Sequence, residues 1–127
     1  MMREILFHGK RMDNGEWVQG YVYRIWERVY ILWGMTNDVP NMIEVDPETV
    51  GQFTGEFLNQ RTFEGDVLNI TDKYGKSKNW VVVFKDGAFM LKQDGVDFFA
   101  HFTDFPRKHY HKVVISNIHD NPELLEK

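Results

Sequence analysis

Residues 80–91, WVVVFKDGAFML, form the stretch of the chain that decides the fold. It opens with five consecutive β-branched or aromatic residues, a composition typical of a strand. Asp86-Gly87 follows, and this pair favours the positive φ angles of a two-residue hairpin turn. Residues 88–91 are again apolar, so the segment predicts a β-hairpin.

A second hairpin signal lies near the N-terminus, where Asn14-Gly15 separates residues 3–12 from residues 16–23. Alternation places Trp17, Tyr21 and Tyr23 on one face of the second strand. Gly20 lies in the middle of that strand and predicts a bulge or a close approach of two backbones.

The remaining segments are short and lack a helical period. Residues 29–33 predict a strand buried on both faces, residues 34–41 a loop, and residues 42–45 a further strand. Asp46-Pro47-Glu48 is typical of the start of a short helix, because Asp caps, Pro presets φ and Glu complements the dipole. Further strands are predicted at 67–70, 96–102 and 111–118. The pattern predicts an all-β, mainly-β fold of short strands, either a barrel or a sandwich, with an N-terminal β-hairpin region.

Composition narrows the class of protein. With 127 residues the chain has the size of one ordinary domain, and we expect a single unit, with two all-β halves (about 1–57 and 58–127) as the alternative. The absence of cysteine excludes disulfides and thiolate chemistry. A net charge of -4 lowers the expectation of general nucleic-acid binding. No apolar run is long enough to span a bilayer and no signal segment is visible, so we expect a soluble cytoplasmic protein.

Five stretches resemble the YopX family of phages and bacterial prophages, in family order: residues 3–10 (REILFHGK), 14–21 (NGEWVQGY), 45–55 (VDPETVGQFTG), 63–67 (FEGDV) and 117–125 (NIHDNPELL). The resemblance implies a mostly-β fold with an SH3-like small barrel in the C-terminal half, and a phage or prophage origin in a bacterial host. It implies no activity. The chain departs from the family pattern at residues 59–62 (NQRT), which lack the expected glycine.

Two histidines suggest a metal site. His109 and His111 are two residues apart, so on a strand both would point to the same face, and His101 or His119 could add a third nitrogen. The alternative interpretation is a set of surface imidazoles beside basic residues, since a pair without a defined third ligand is a weak motif.

The densest basic stretch is residues 107–112, with Arg107, Lys108 and Lys112 around Tyr110. Cations with an interleaved aromatic ring can contact a nucleic-acid backbone and stack on a base. A solvated loop on an acidic chain explains the same residues.

Aromatic residues make up 15% of the chain, more than a small core usually needs. Tyr and Trp are favoured at protein interfaces, so Trp26 and Tyr23 are candidate partner-binding residues, with Trp26 predicted to be exposed in a strand connection. Filling of the sheets by large side chains is the alternative. Glu64-Gly65-Asp66 brings two carboxylates together at a turn, and we interpret it as structural: Gly65 permits the turn and Asp66 accepts nearby N–H groups.

The residues assign no catalytic group and no cofactor. The leading hypothesis is a non-enzymatic interaction module for a protein partner or for self-association. A nucleic-acid-associated regulatory factor using residues 107–112 is the first alternative. A small metal-dependent enzyme using His109 and His111 is the second.

Overall fold

A computed structural model describes residues 5–93 and 95–125. Residues 1–4, 94, 126 and 127 lie outside this part, including Arg3 and Glu4 at the predicted start of the first hairpin. The chain divides into two compact units, Met1–Gly55 and Glu56–Lys127. Among the described residues no helix is long and apolar enough to cross a membrane.

The first unit is an antiparallel sheet whose strands lie in the order β4-β3-β2-β1-β5. Its strands are β1 (Phe7–Lys10), β2 (Trp17–Ile25), β3 (Arg28–Thr36), β4 (Val39–Val45) and β5 (Gly51–Phe57), whose last residues enter the second unit. Its core is small and consists of Val29, Ile31 and Val45, packed against partly buried neighbours on β1, β2 and β4.

The predicted N-terminal hairpin is confirmed, since β1 and β2 pair from Phe7↔Gly20 to Lys10↔Trp17. Gly20 marks the place where β2 leaves β1 and begins to pair with β3. A β-carbon there would overlap the carbonyl oxygen of Leu32, so the predicted close approach of two backbones is also confirmed.

The predicted loop at residues 34–41 is wrong. β3 continues to Thr36, β4 begins at Val39, and the two strands pair along their length. Asn37 and Asp38 form the two-residue turn between them, both with positive φ (51° and 64°). Asn and Asp tolerate this conformation without glycine, which is why the turn was missed. The prediction that residues 29–33 are largely buried on both faces is correct only in part: Val29 and Ile31 are buried, Tyr30 and Leu32 are half-buried, and Trp33 is 55% exposed.

Asp46 caps a short 3-10 helix, Pro47–Thr49, as predicted. Its carboxylate accepts a hydrogen bond from the backbone N–H of Glu48 at 3.1 Å. Thr49 is buried and ties the helix to β1, because its hydroxyl oxygen accepts from the backbone N–H of Lys10 at 2.9 Å.

The second unit contains a four-stranded antiparallel sheet in the order β10-β7-β8-β9. Its elements are β6 (Arg61–Phe63), β7 (Asp66–Asp72), β8 (Ser77–Lys85), β9 (Ala88–Lys92), β10 (Tyr110–Asn117) and the 3-10 helices Phe102–Asp104 and Pro122–Leu125. The Asp86-Gly87 hairpin is confirmed: Lys85 pairs with Ala88, and both turn residues have positive φ. The core of this unit includes Leu68, Trp80 and Leu91.

The mainly-β prediction is confirmed, and among the described residues there is no α-helix. The predicted barrel differs from the structure, because the strands of these residues form open antiparallel sheets that do not close. In the second unit, the sequence predicts a strand at residues 96–102. They contribute one isolated bridge instead, Leu91↔Ala100, so β9 ends the sheet.

Candidate functional site

One face of the sheet in the first unit carries the buried core residues, and the opposite face carries exposed aromatic residues. Register places Tyr21 opposite Leu32 on β3, which is itself opposite Met42 on β4. Tyr23 faces Tyr30 in the next row, which ends in Glu44 on β4. Because residues paired across strands share a face, these two rows lie on the side opposite the core residues. We call the face formed by Tyr21, Tyr23, Tyr30, Leu32 and Met42 the aromatic face.

The aromatic face is accessible. Tyr21 is 61% exposed, and Tyr23 and Met42 are exposed by nearly half, while Tyr30 and Leu32 are half-buried. The Tyr30 hydroxyl and the Glu44 carboxylate both raise the pKa of Arg28, so a charged group borders the apolar rows. An apolar surface with a polar border is the usual character of a protein-binding patch.

Trp26 lies at the β2–β3 turn and is 86% exposed, which confirms its predicted exposure. Its φ is +52°, a conformation that a bulky side chain rarely adopts. The Arg24 guanidinium donates to the Trp26 carbonyl oxygen at 2.9 Å and supports the turn. The positive φ of Trp26 costs free energy, and its exposed side chain gains none from burial. The stability of the fold therefore does not explain why a large apolar residue occupies this position.

The basic stretch lines a cleft of about 360 Å³ in the second unit, which we call the β10 cleft. One side carries Arg107, Tyr110, His111 and Lys112 of the predicted stretch. The other carries Leu58 and Asn59 from the turn before β6, and Val113 completes the lining. Lys108, also predicted, is exposed and does not line the cleft.

Asn59 joins the two sides of the β10 cleft. Its amide nitrogen donates to the carbonyl oxygen of Val114 at 3.1 Å, and its amide oxygen accepts from the N–H of Val114 at 2.8 Å. β10 is an edge strand, and these two bonds satisfy backbone groups that a neighbouring strand would otherwise pair. The glycine-free segment 59–62 therefore supplies a structural latch.

The two predicted metal ligands lie close in sequence but on different elements. His111 lies on β10, whereas His109 lies in the turn that precedes it, so the alternation of a strand does not place the two imidazoles on one face. Both imidazoles are exposed. In residues 5–93 and 95–125 no three histidine or carboxylate groups come together as metal ligands, and the metal hypothesis stays a prediction.

Asp66 is the most perturbed titratable group that the structure describes. It begins β7, is 3% exposed, and its carboxylate accepts from the backbone N–H of Phe63 at 2.8 Å. The predicted N–H contact is thus present. Burial raises the pKa of Asp66 to about 7, and the hydrogen bond from Phe63 opposes this rise only in part. The turn has Gly65 at φ +93°, as predicted for a structural role.

Sequence reasoning missed Asn59 and the depth at which Asp66 is buried. The available signal for Asn59 was the replacement of glycine by an amide-bearing turn residue. For Asp66 it was the apolar run 67–68 that follows directly and places the start of the strand inside the unit. Neither signal predicts which residue the side chain contacts, because that depends on the tertiary fold.

Comparison with known proteins places the chain in a family. The model of the YopX protein family matches residues 14–126. A solved structure, the crystal structure of protein EF1440 from Enterococcus faecalis, shares the fold with a TM-score of 0.57 and 23% identity, over 98% of this chain and 100% of that one. No curated protein sequence matches the chain. The matched region contains nearly the whole chain, including the aromatic face and the β10 cleft, and the chain belongs to the YopX protein family.

Proposed function

We propose that this protein is a non-enzymatic binding module that holds a protein partner on its aromatic face, acting in the cytoplasm of a bacterial host as part of a phage or prophage programme. The single observation that carries the proposal is the pair of exposed rows led by Tyr21 and Tyr23, beside a Trp26 that is 86% exposed. Interfaces are enriched in Tyr and Trp because these side chains bury a large apolar area and keep one polar end.

The sheet supports binding through its face more than through its edge. β4 is one edge strand of the sheet in the first unit, and it contains Pro40, which has no backbone N–H to donate to an added strand. Extension of the sheet at β4 is disfavoured for this reason. The face remains open, so we assign the partner to it.

The likeness to a protein of Enterococcus faecalis supports the bacterial setting of the proposal. Membership of the YopX family adds the phage and prophage context that the sequence resemblance implies. Neither comparison names a partner, so the chemistry of the face defines it: a protein surface with an apolar patch that accepts aromatic side chains.

The test compares the aromatic face with an equally exposed aromatic elsewhere. Tyr21→Ala and Trp26→Ala remove the largest exposed side chains at and beside the face. Tyr74→Ala is the matched control, because Tyr74 is 78% exposed in the β7–β8 turn. Proteins retained from a host lysate are identified by mass spectrometry, purified and titrated against each variant by calorimetry.

We expect one purified partner to bind wild type and Tyr74→Ala equally, and to lose about tenfold or more in affinity with either face variant, as for a hot-spot residue. Equal affinity for all variants would refute the aromatic face as the site. Sedimentation equilibrium is run in parallel. A dimer that both face variants dissociate, with no purified partner binding, would assign the face to a second copy of the chain and overturn the proposal.

A further inference from the structure

The β10 cleft is a concave surface separate from the aromatic face. It lies entirely within the second unit, has a volume of about 360 Å³, and combines cations, an aromatic ring and apolar walls. This volume falls at the small end of pockets that hold organic ligands, roughly 300–1,000 Å³. The lining therefore suits a compact ligand with an anionic part and a flat part.

Positive charge in the cleft is only partly compensated. Lys112 is half-buried, and its ammonium group donates to the carbonyl oxygen of Phe102 at 3.4 Å. Burial lowers the pKa of Lys112; Glu56 opposes that change, and the nearby charge of Arg107 adds to it. Two cations thus lie close enough to repel one another, with Glu56 as the one carboxylate among the described residues that acts on Lys112.

Arg107 and His111 are available to a ligand. Both are exposed, and within residues 5–93 and 95–125 neither side chain forms a hydrogen bond or an ion pair. A guanidinium group has paired donors that match the geometry of a phosphate, so Arg107 can supply a bidentate contact.

Tyr110 supplies a firm ring surface. Its ring meets Phe105 edge-on at 5.2 Å and 90°, and Phe105 meets Trp80 of the core in the same way at 5.2 Å. The series of rings holds Tyr110 in the lining of the cleft, where it is half-buried. A fixed ring loses little entropy when a flat ligand stacks on it.

We propose that the β10 cleft binds a nucleotide unit, with its phosphate between Arg107 and Lys112 and its base against Tyr110. A free nucleotide and a single-stranded nucleic acid share this chemistry. Leu58 and Val113 provide apolar contact for the sugar and base edge, and the Asn59 latch holds the two walls at a fixed separation. Stacking on one aromatic ring contributes about 1–3 kcal/mol per base.

The test uses the full chain, labelled with nitrogen-15, and follows amide resonances by nuclear magnetic resonance. The probes are inorganic phosphate, adenosine monophosphate and a hexa-adenylate RNA. We expect shifts at Tyr110 to Val113 with each probe, and tighter binding of the mononucleotide than of phosphate. Tighter binding of the RNA, weakening steeply with salt, identifies nucleic acid as the source. Equal affinity for the mononucleotide and the RNA identifies a free nucleotide.

Matched variants distinguish binding in the cleft from nonspecific attraction to positive charge on the protein. Arg107→Gln should weaken mononucleotide binding about tenfold, whereas Lys108→Gln, one residue away and outside the lining, should change it less than about twofold. Tyr110→Phe should retain binding and Tyr110→Leu should lose the advantage of the mononucleotide over phosphate. Thermal unfolding confirms that each variant is folded.

Three results would overturn the proposal. They are the absence of shifts at residues 110–113 with all three probes, an equal loss from Arg107→Gln and Lys108→Gln, and equal affinity for phosphate and mononucleotide in the wild-type chain. None of them bears on the aromatic face, which lies in the other unit.

Discussion

Asp66→Asn replaces the buried carboxyl of β7 with an uncharged group of the same shape. The asparagine oxygen can still accept the hydrogen bond from the Phe63 N–H, which measures 2.8 Å in the wild-type chain. The variant therefore removes the ability to ionise and leaves the turn intact. Any change in the pH dependence of stability reports the carboxylate itself.

The size of the effect follows from the pKa of Asp66, which burial raises from 3.8 to about 7 in the folded chain. Between these two values the native state binds more protons than the unfolded state, so the free energy of unfolding falls as pH rises. Stability from this group is complete below about pH 4 and is lost through pH 7. A rise of three units corresponds to about 4 kcal/mol at 1.36 kcal/mol per unit.

Urea unfolding at pH 5 and pH 8, monitored by tryptophan fluorescence, measures this difference. We expect wild type to lose a few kcal/mol between the two pH values and Asp66→Asn to lose much less, so the variant becomes the more stable protein at pH 8. Glu64→Gln in the same turn is the matched control and should follow wild type. Parallel pH profiles for wild type and Asp66→Asn would refute the account of Asp66 as a buried acid.

Three further substitutions test the fold by urea unfolding. Gly20→Ala should cost about 3 kcal/mol, because its β-carbon overlaps a backbone oxygen of β3. Gly34→Ala, whose β-carbon would make only an ordinary contact with the Asn41 side chain at 3.6 Å, should stay within about 0.5 kcal/mol, and equal costs would refute the close approach. Trp26→Gly should stabilise by about 0.5–1 kcal/mol, since relief of a positive φ exceeds the added chain entropy, and a loss would show hidden packing. Asn59→Ala should cost about 2 kcal/mol by orphaning two backbone groups of β10, and a neutral result would exclude the latch.

Local signals predicted the hairpins well where a glycine occupied the turn. Asp86-Gly87 gave both the turn and its register, because few other conformations suit that pair. The turn at Asn37-Asp38 uses the same kind of backbone without glycine, and there the sequence resembled a loop. The Asp46 cap was predictable because all its partners lie within three residues.

Features that depend on distant residues could not be predicted in this way. The latch joins Asn59 to a backbone 55 residues away, and no local pattern marks such a pair. The abundance of short strands predicts a barrel or a sandwich, but it does not reveal whether a sheet closes. Residues 96–102, predicted as a strand, contribute a single bridge. Exposure of Trp26 was predictable from its charged neighbours, whereas the rows of the aromatic face required the register of three strands.

The late position of β10 in the chain, to which the Asn59 latch binds, has a consequence for the rate of folding. β7, β8 and β9 follow one another through short turns, but β10 must return across a long intervening segment to pair with β7. Closing long loops slows folding, so we expect the three-stranded meander to form early and β10 to join late. The cleft walls meet only when that last strand arrives. A nucleotide would then bind only to molecules in which β10 has paired with β7, and not to partly folded ones.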